Sequence, residues 1–190
     1  MKKLFATTLL LVLSLTTQAQ TDVTKFLGIP VDGTKPEMIR QLKAKGFRNV
    51  PYTDDILEGE FNGSNVYIAV ATNNNKVWRI AVVDAIPSDE RNIQIKFNRL
   101  CEQFENNPKY VSFVSIQDYT IPDDEDISYQ MLVNNKRYEA AYCQKTENAE
   151  TADINKLVWF MISKNNLGFD KYQLIIYYEN GYNEANGQDL

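Results

Sequence analysis

Residues 56–71 have the sequence ILEGEFNGSNVYIAVA and decide the fold class of this chain. Two segments rich in apolar residues, Ile56 to Phe61 and Val66 to Ala71, flank the turn Asn62-Gly63-Ser64-Asn65. An Asn-Gly pair between two such segments is the strongest short-range signal of a β-hairpin, because asparagine and glycine tolerate the positive φ angles of a tight turn. The stretch therefore predicts two antiparallel strands.

More segments with strand character follow, so the hairpin is predicted to belong to a larger sheet. A second asparagine-rich turn at 73–76 leads into a strand at 77–84. Later segments of this kind lie at 110–116, 128–133, 137–143, 157–162 and 172–178. The last two are apolar on both faces, as is typical of strands in the middle of a sheet. The pattern predicts an antiparallel sheet of about seven strands, in which 128–133 and 137–143 form a hairpin through the turn at 134–136.

Two segments have helical patterns. Thr34 and Glu37 have the spacing of a capping box, and Gly46 follows the first segment as a helix stop. Ser88 is the expected N-cap of the second helix, which ends before Pro108. Each helix carries one apolar stripe, formed by Met38, Ile39 and Leu42 in the first and by Ile93, Phe97, Leu100, Cys101 and Phe104 in the second. A helix with a single apolar stripe buries that stripe against one surface, here the predicted sheet. The sequence therefore predicts an α+β fold, an antiparallel sheet with two main helices packed on one face.

The first 20 residues have the order of a secretory signal peptide. Lys2 and Lys3 precede an apolar stretch from Leu4 to Leu15, and a polar segment with small residues ends at Gln20. The apolar stretch is shorter than the roughly 20 residues that span a bilayer, and a buried N-terminal helix or a membrane anchor is the alternative. We expect residues 1–20 to be removed. Residues 21–190 would then form a single exported domain, periplasmic or extracellular, with no transmembrane segment.

The order of elements is similar in the two halves of the mature chain. Residues 21–87 and 88–190 each contain a helix followed by strands with an asparagine-rich turn. Tyr67 in the first half has a counterpart in Tyr138 of the second. We interpret this order as a tandem α-β repeat, with chance similarity in a sequence rich in asparagine and tyrosine as the alternative.

The charge balance argues against nucleic acid as a partner. The chain has 20 Lys and Arg against 25 Asp and Glu, a formal net charge of −5. Removal of residues 1–20 takes away two lysines and no acid, which lowers the charge from −5 to −7. Such a domain lacks the basic surface that a phosphate backbone requires, and it is a poor partner for anionic lipid surfaces.

The chain contains no histidine, which removes the Ser-His-Asp and Cys-His arrangements and histidine-ligated zinc. Phosphate-loop and dinucleotide-binding glycine motifs are absent as well, so the sequence indicates no cofactor, no metal and no catalytic residue. The acidic run at 123–126 lacks the alternating spacing and the glycine of a calcium loop, and we interpret it as a solvated loop. Carboxylates are numerous enough for a small hydrolase of cell-envelope polymers, which is an alternative to a binding role.

Cys101 and Cys143 are the two cysteines of the chain. An exported protein folds in a compartment where disulfides persist, so one alternative is a bridge between them. The other is a pair of buried, unbridged thiols, since cysteine behaves as a small apolar residue in protein cores. The sequence leaves both alternatives open, because it cannot show that the two side chains meet.

Aromatic residues are the most informative candidates for function. Most of the 11 Tyr, 9 Phe and 2 Trp fall in predicted strands, where β-propensity and packing account for many of them. With helices on one face only, the opposite face needs aromatic residues that tolerate water or contact a partner. In the strand at 137–143 we expect Cys143 to face the helices, and the two tyrosines to point away from them. The candidate ligand-binding residues are Tyr67, Trp78, Tyr138 and Tyr142.

The sequence thus predicts a non-enzymatic secreted or periplasmic binding protein. It would recognise a protein, a peptide or a glycan through an aromatic sheet face, since exposed Tyr and Trp on a rigid sheet are typical of binding hot spots. An envelope structural or assembly factor is a further alternative.

Several stretches resemble a group of uncharacterised secreted proteins from Bacteroidetes. They are KFLGIPVDGTKPEMI at 25–39 with Lys45-Gly46-Phe47, TNNNKVWRI at 72–80, and the segments at 119–122 and 126–129. The resemblance covers most of the mature chain and implies secretion, and it brings no assigned role for any residue. More loosely, the helix-then-strands units resemble the tandem repeat of the β-lactamase inhibitor protein, which implies an architecture and no function.

Overall fold

The computed structural model describes residues 22–53, 55–114, 119–146, 153–165 and 171–187. The predicted signal peptide at 1–20 lies outside these ranges, as do Ile116 at the end of one predicted strand and the predicted turn residues 166–168. Within the described ranges, no helix combines the length and the apolar content needed to cross a membrane.

The strands of the described residues form two antiparallel sheets. The small sheet pairs β1 (Lys25–Phe26) with β2 (Ile29–Pro30). The large sheet has eight strands, which are β3 (Arg48–Asn49), β4 (Ile56–Phe61), β5 (Ser64–Asn73), β6 (Lys76–Asp84), β7 (Tyr110–Ser112), β8 (Glu139–Gln144), β9 (Leu157–Lys164) and β10 (Tyr172–Glu179). Their spatial order is β3-β4-β5-β6-β10-β9-β8-β7, and every neighbouring pair is antiparallel.

Three helices accompany the large sheet, namely α1 (Lys35–Ala44), α2 (Glu90–Glu105) and α3 (Ile127–Val133). α1 packs on β5 and β6, whereas α2 packs on β10, β9 and β7 and has α3 beside it. The predicted α+β fold, an antiparallel sheet with two main helices on one face, is confirmed. The four strands of one half of the sheet follow α1 in the chain, and the four strands of the other half follow α2.

Local capping fixes where α1 and α2 begin. The Glu37 carboxylate accepts a hydrogen bond from the backbone N–H of Thr34 at 3.3 Å, as the predicted capping box requires, and a further one from the Thr34 hydroxyl at 3.0 Å. The N-cap of α2 is Asp89, one residue later than predicted, and it accepts a backbone N–H of the first helical turn at 2.8 Å. Ser88, the predicted N-cap, instead pairs its backbone with Tyr172 at the start of β10. This bridge fixes the start of α2 against a central strand.

The predicted strand at 128–133 is wrong, because these residues form α3. Asp126 caps the helix by accepting a backbone N–H of its first turn at 2.7 Å, and Ile127 is fully buried. The predicted turn at 134–136 is the end of this helix, where Asn135 has a positive φ of 53°. Tyr129 and Val133 favour a strand, but residues 130–132 between them are strong helix formers, and an N-cap aspartate precedes the segment.

The hydrophobic core lies on the helix face, which is the side of the large sheet that α1 and α2 cover. One row of paired residues on this face is formed by Leu57, Ile68, Val82, Ile176, Phe160 and Ala140, each at most 8% exposed. Phe97 and Phe104 of α2 contact the ring of Phe160, with centroids 5.1 and 5.5 Å apart. Full burial of one such side chain contributes about 1.5–3 kcal/mol, so this row is a main source of stability.

Tyr138 and Tyr142 lie on the helix face and not, as predicted, on the opposite one. Tyr142 is 1% exposed and stacks on Phe104 with ring centroids 4.8 Å apart. The Tyr138 hydroxyl donates to Glu125 at 2.5 Å, in the loop before α3. The prediction is wrong because it assumed that Cys143 faces the helices. Cys143 points to the other side of the sheet, and a change of one residue reverses every assignment in a strand.

Tyr142→Ala is expected to lower the free energy of unfolding by about 3–5 kcal/mol, because it leaves a cavity among stacked rings. Tyr142→Phe keeps the ring and loses only a 3.5 Å hydrogen bond from the hydroxyl to the Cys101 carbonyl. It should therefore cost about 1 kcal/mol or less. Urea denaturation followed by circular dichroism measures both values, and an alanine variant as stable as the wild type would contradict this placement.

Cys101 and Cys143 are both buried thiols and form no disulfide. Cys101 lies on the helix side of the sheet, in α2, whereas Cys143 points to the opposite side. Of the two alternatives that the sequence leaves open, the unbridged one is the structure of this chain. Burial raises the pKa of the Cys143 thiol to about 11, so this group is protonated and unreactive near neutral pH.

We expect both thiols of the native protein to resist a thiol-specific reagent such as DTNB, because neither is accessible. Both should react after unfolding in urea without reductant. Absorbance of the released thiolate counts the reactive groups in each state. Absence of reaction in the unfolded protein would reveal a disulfide and contradict the structure.

Candidate functional site

The side of the large sheet opposite α1 and α2, which we call the open face, is less covered than the helix face. Tyr67 on β5 and Ile56 on β4 are 39% and 38% exposed there. One row of paired residues crosses this face and is formed by Ile56, Ala69, Ala81, Tyr177, Trp159, Ala141 and Phe113. All members of this row keep accessible surface, in contrast to the buried row on the helix face.

Four side chains contact one another in the middle of the open face and form what we call the aromatic ladder: Trp78, Arg79, Tyr177 and Trp159. The rings of Trp159 and Tyr177 are stacked, with centroids 4.4 Å apart. The Arg79 guanidinium carbon lies 4.8 Å from the ring centre of Tyr177 and 4.1 Å from that of Trp78. The guanidinium thus lies over two ring faces, where the electron density of the π-systems attracts a cation.

An irregular step between β5 and β6 explains why two consecutive residues belong to the ladder. The pairing shifts after Ala71 and leaves Trp78 as an extra residue on β6. A β-bulge of this kind re-aims side chains relative to the regular alternation. Val77 before the bulge and Ile80 after it are both buried in the core, so that Trp78 and Arg79 both reach the open face.

Glu179 on β10 fixes the ladder from one end. Its Oε1 atom forms an ion pair with Arg79 Nη2 at 2.5 Å and accepts a hydrogen bond from Trp159 Nε1 at 2.8 Å. The carboxylate is 9% exposed, and solvent screens such a pair less than it screens a surface pair. The Nε atom of Arg79 is buried and has no hydrogen-bond partner among the described residues. Charge and stacking together hold the ladder side chains in one arrangement.

One end of the open face is covered by the chain itself, since Cys143 and Glu179 point to this side and are nevertheless buried. The segment at 22–24 and two 3₁₀ turns, Ile154–Lys156 and Gly181–Asn183, pack at this end. The buried Lys156 ammonium donates to the Asp22 carboxylate at 2.8 Å. The accessible part of the face therefore begins at the ladder.

Alanine residues, whose side chains are small, form the floor of a depression on each side of the ladder. On one side, β5 and β6 contribute Ala69, Ala71 and Ala81. On the other side, Ala141 of β8 lies between Trp159 on β9 and Phe113 after β7. The second depression, which we call the slot, has a volume of 390 Å³ and is lined by Phe113, Val114, Tyr119, Glu139, Ala141, Leu157 and Trp159.

Two of the four predicted binding residues lie on the open face. Trp78 is a member of the ladder, and Tyr67 lies two strands away from Tyr177. Tyr138 and Tyr142 belong to the core on the other side of the sheet. The structure therefore brings Tyr67 and Trp78 to one surface and separates them from the other two candidates.

Sequence reasoning missed Arg79, Trp159, Tyr177 and Glu179 as members of the site. β9 and β10 are apolar on both faces, so alternation of polarity did not indicate which aromatic residues point away from the core. The available signal was charge, because Arg79 and Glu179 lie in otherwise apolar strands and a poorly solvated charge needs a partner. The slot residue Ala141 carries no such signal, since its role follows from the register of β8 and β9.

A second cleft lies in the helix layer beside α2. It consists of two depressions of 340 and 430 Å³ that share lining residues, among them Leu100 and Ile176. Asn62 of the β4–β5 turn and Gln103 of α2 line both depressions, and Asn62 Nδ2 donates a hydrogen bond to Gln103 Oε1 at 2.8 Å. The acid in this lining is Asp84, whose carboxylate pairs with a lysine of α2 at 3.1 Å. This cleft therefore lacks the pair of carboxylates that the hydrolase alternative needs.

The acidic run at 123–126 has structural partners. Asp123 pairs with Arg91 of α2 at 3.1 Å, and Asp126 is the N-cap of α3. Glu125 accepts hydrogen bonds from the Lys136 ammonium and the Tyr138 hydroxyl. Across the described ranges, no group of three or more Cys, Asp or Glu residues is arranged to hold a metal ion.

Comparisons with family models, with curated proteins and with solved structures found no match for this chain. The resemblance to secreted proteins of Bacteroidetes and to the repeat of the β-lactamase inhibitor protein stays a prediction. The candidate site rests on the geometry of the open face alone.

Hydrogen bonds from Lys136 and Tyr138 lower the pKa of Glu125 below its usual value of 4.5. The ionised carboxylate therefore stabilises the fold above that pH, and this contribution is lost as the pH falls through the lowered pKa. Glu125→Gln should be less stable than the wild type at neutral pH, and the difference should shrink as the pH falls below 4.5 and through the lowered pKa. Thermal melts across this range measure the difference. Asp124→Asn, at an exposed position of the same run, is the control, and a pH-independent loss in Glu125→Gln would contradict the assignment.

Proposed function

We propose that this chain is an exported binding protein that recognises its partner through the open face. The observation that carries the proposal is the aromatic ladder, a stack of three rings and one guanidinium on the sheet surface that the helices do not cover. Tyr, Trp and Arg are the residues in which binding energy is most often concentrated.

The ladder is pre-organised, which supports recognition over a purely structural role. Glu179 holds Arg79 by an ion pair and Trp159 by a hydrogen bond, and the ring of Tyr177 stacks on Trp159 and contacts the Arg79 guanidinium. Side chains fixed in this way lose little conformational entropy when a partner binds. Beyond the ladder, Tyr67 is 39% exposed on the same face, so that apolar surface extends across several strands.

Export and charge are consistent with this role. The order of charged, apolar and small residues in 1–20 is that of a secretory leader. The whole chain has a net charge of −5, and loss of the two leader lysines lowers it to −7, which disfavours nucleic acid and anionic lipid as partners. A protein, peptide or glycan of the envelope or its surroundings is therefore the partner class that we propose.

The test compares substitutions of accessible aromatic residues, the exposed Tyr67 and Tyr129 and the partly buried Trp78, on the two sides of the sheet. Tyr67→Ala and Trp78→Ala change the open face, whereas Tyr129→Ala removes a tyrosine that is 52% exposed on α3 and serves as the matched control. A partner enriched from envelope extract with the mature wild-type domain is purified, and its affinity for each variant is measured by biolayer interferometry. We expect a loss of about 1–4 kcal/mol in the open-face variants and no change in the control.

Equal affinity of Tyr67→Ala, Trp78→Ala and the wild type would contradict binding through the open face. Circular dichroism of each variant verifies that the fold is intact. Both tryptophans of the chain belong to the ladder, so a shift of intrinsic fluorescence upon binding provides an independent signal from the same surface.

A further inference from the structure

We propose that the slot between Trp159 and Phe113 is a subsite for one aromatic side chain of a peptide or protein partner, next to a basic residue of that partner. This inference rests on the proposed function and narrows the partner class. It follows from the spacing of the strands, from the chemistry of the lining and from the charge at the rim.

The spacing of the strands leaves room for one ring. Neighbouring strands lie about 4.8 Å apart, and Trp159 and Phe113 stand on either side of β8. The Phe113 N–H bonds to the Ala141 carbonyl at 2.9 Å, which fixes Phe113 in the same row as Ala141 and Trp159. Their backbones are therefore two strand spacings apart, about 10 Å. Ala141 on the strand between them contributes only a methyl group.

A guest ring over Ala141 would continue the aromatic ladder by one position. Tyr177 and Trp159 are one strand apart and stack with centroids 4.4 Å apart. A ring placed one strand further would lie about 5 Å from the face of Trp159 that points away from Tyr177. This distance is within the range of about 4.5–7 Å that is usual for aromatic pairs. On its other side it would contact Phe113, which is 41% exposed.

The lining of the slot favours an aromatic side chain over a sugar. Phe113, Val114 and Leu157 supply apolar surface, and Val114 is 43% exposed. The Tyr119 hydroxyl is within 3.3 Å of the Ala141 carbonyl and donates to it. A sugar ring brings several hydroxyl groups, and each one buried without a partner costs about 1–3 kcal/mol. An apolar ring leaves no such group unsatisfied.

The charge at the rim favours a basic neighbour for that ring. Glu139 lies two residues before Ala141 on the same side of β8, and its side chain is 45% exposed. It pairs with Arg137 at 3.0 Å, and the arginine is 64% exposed. Such a surface pair is weak and exchanges readily with an incoming cation. The net charge of the mature domain, which is −5 for the whole chain and −7 once the two leader lysines are removed, acts in the same direction.

The experiment uses Trp159 as the reporter. In the Trp78→Phe variant of the mature domain, Trp159 is the single tryptophan. The probe is the peptide acetyl-Lys-Phe-Lys-amide, compared with acetyl-Lys-Leu-Lys-amide, acetyl-Glu-Phe-Glu-amide and chitohexaose. We expect a saturable blue shift of the Trp159 emission with the first peptide. The affinity should be at least tenfold lower for the leucine peptide and for the acidic peptide, and the sugar should have no effect.

Variants made in the same background locate the binding site. Ala141→Leu fills the slot from its floor, and Phe113→Ser removes one wall at an exposed position and so keeps the protein testable if the leucine is not tolerated. Both should weaken binding of acetyl-Lys-Phe-Lys-amide at least tenfold. Ala44→Leu, the same enlargement at an exposed position of α1, should leave the affinity unchanged.

The outcomes separate this inference from the proposed function. A Trp159 shift with chitohexaose and none with the aromatic peptide would overturn the peptide subsite in favour of a glycan. Weakening by Ala69→Leu, on the other side of the ladder, and none by Ala141→Leu would place binding elsewhere on the open face. In both cases the slot assignment is wrong while binding through the open face stands. Absence of any response to the peptide overturns the subsite, and the partner affinities of Tyr67→Ala and Trp78→Ala then decide the proposed function separately.

Discussion

The antiparallel pairing of β10 with β6 is the interaction on which both surfaces of the molecule depend. It joins the half of the sheet that follows α1 to the half that follows α2. Its register places Ile176 opposite Val82 on the helix face and Tyr177 opposite Ala81 on the open face. A shift of one residue would exchange these faces along the whole strand. It would bring Glu179 to the core side, away from the partners that satisfy its charge.

Apolar side chains are shielded from water in different ways on the two faces of the sheet. On the helix face, α1 and α2 remove water from the aliphatic and aromatic side chains of the central strands. On the open face no described helix performs this task, and the ladder residues shield one another by stacking, with Glu179 compensating the charge of Arg79. Accessible Trp, Tyr and Arg side chains held in one arrangement are typical of interaction sites. The asymmetry of the fold is thus the physical origin of the candidate site.

The fold class was predictable, because the signals for it are local. The Asn-Gly turn at 62–63, the capping box of Thr34 and Glu37, and the two helical stripes each depend on neighbouring residues only. The segment at 128–133 also carried local helix signals, an N-cap aspartate and the helix formers at 130–132, which the assignment to a strand gave too little weight. The site was predictable only in part. Which face a strand residue occupies depends on register. The alternation of the polar Arg137 and Glu139 with the residues at 138, 140 and 142 was a signal for the burial of Tyr142, whereas the bulge at Trp78 leaves no pattern in the sequence.

The position of the two cysteines has a consequence for how this protein can be produced and handled. The sheet separates Cys101 from Cys143, and both are free thiols. Folding to the native state therefore requires neither oxidation of the thiols nor a thiol oxidoreductase. The redox poise of the compartment is then irrelevant to the conformation that the chain reaches. The domain should attain the same fold in a reducing compartment as in an oxidising one, in contrast to small domains that depend on cross-links.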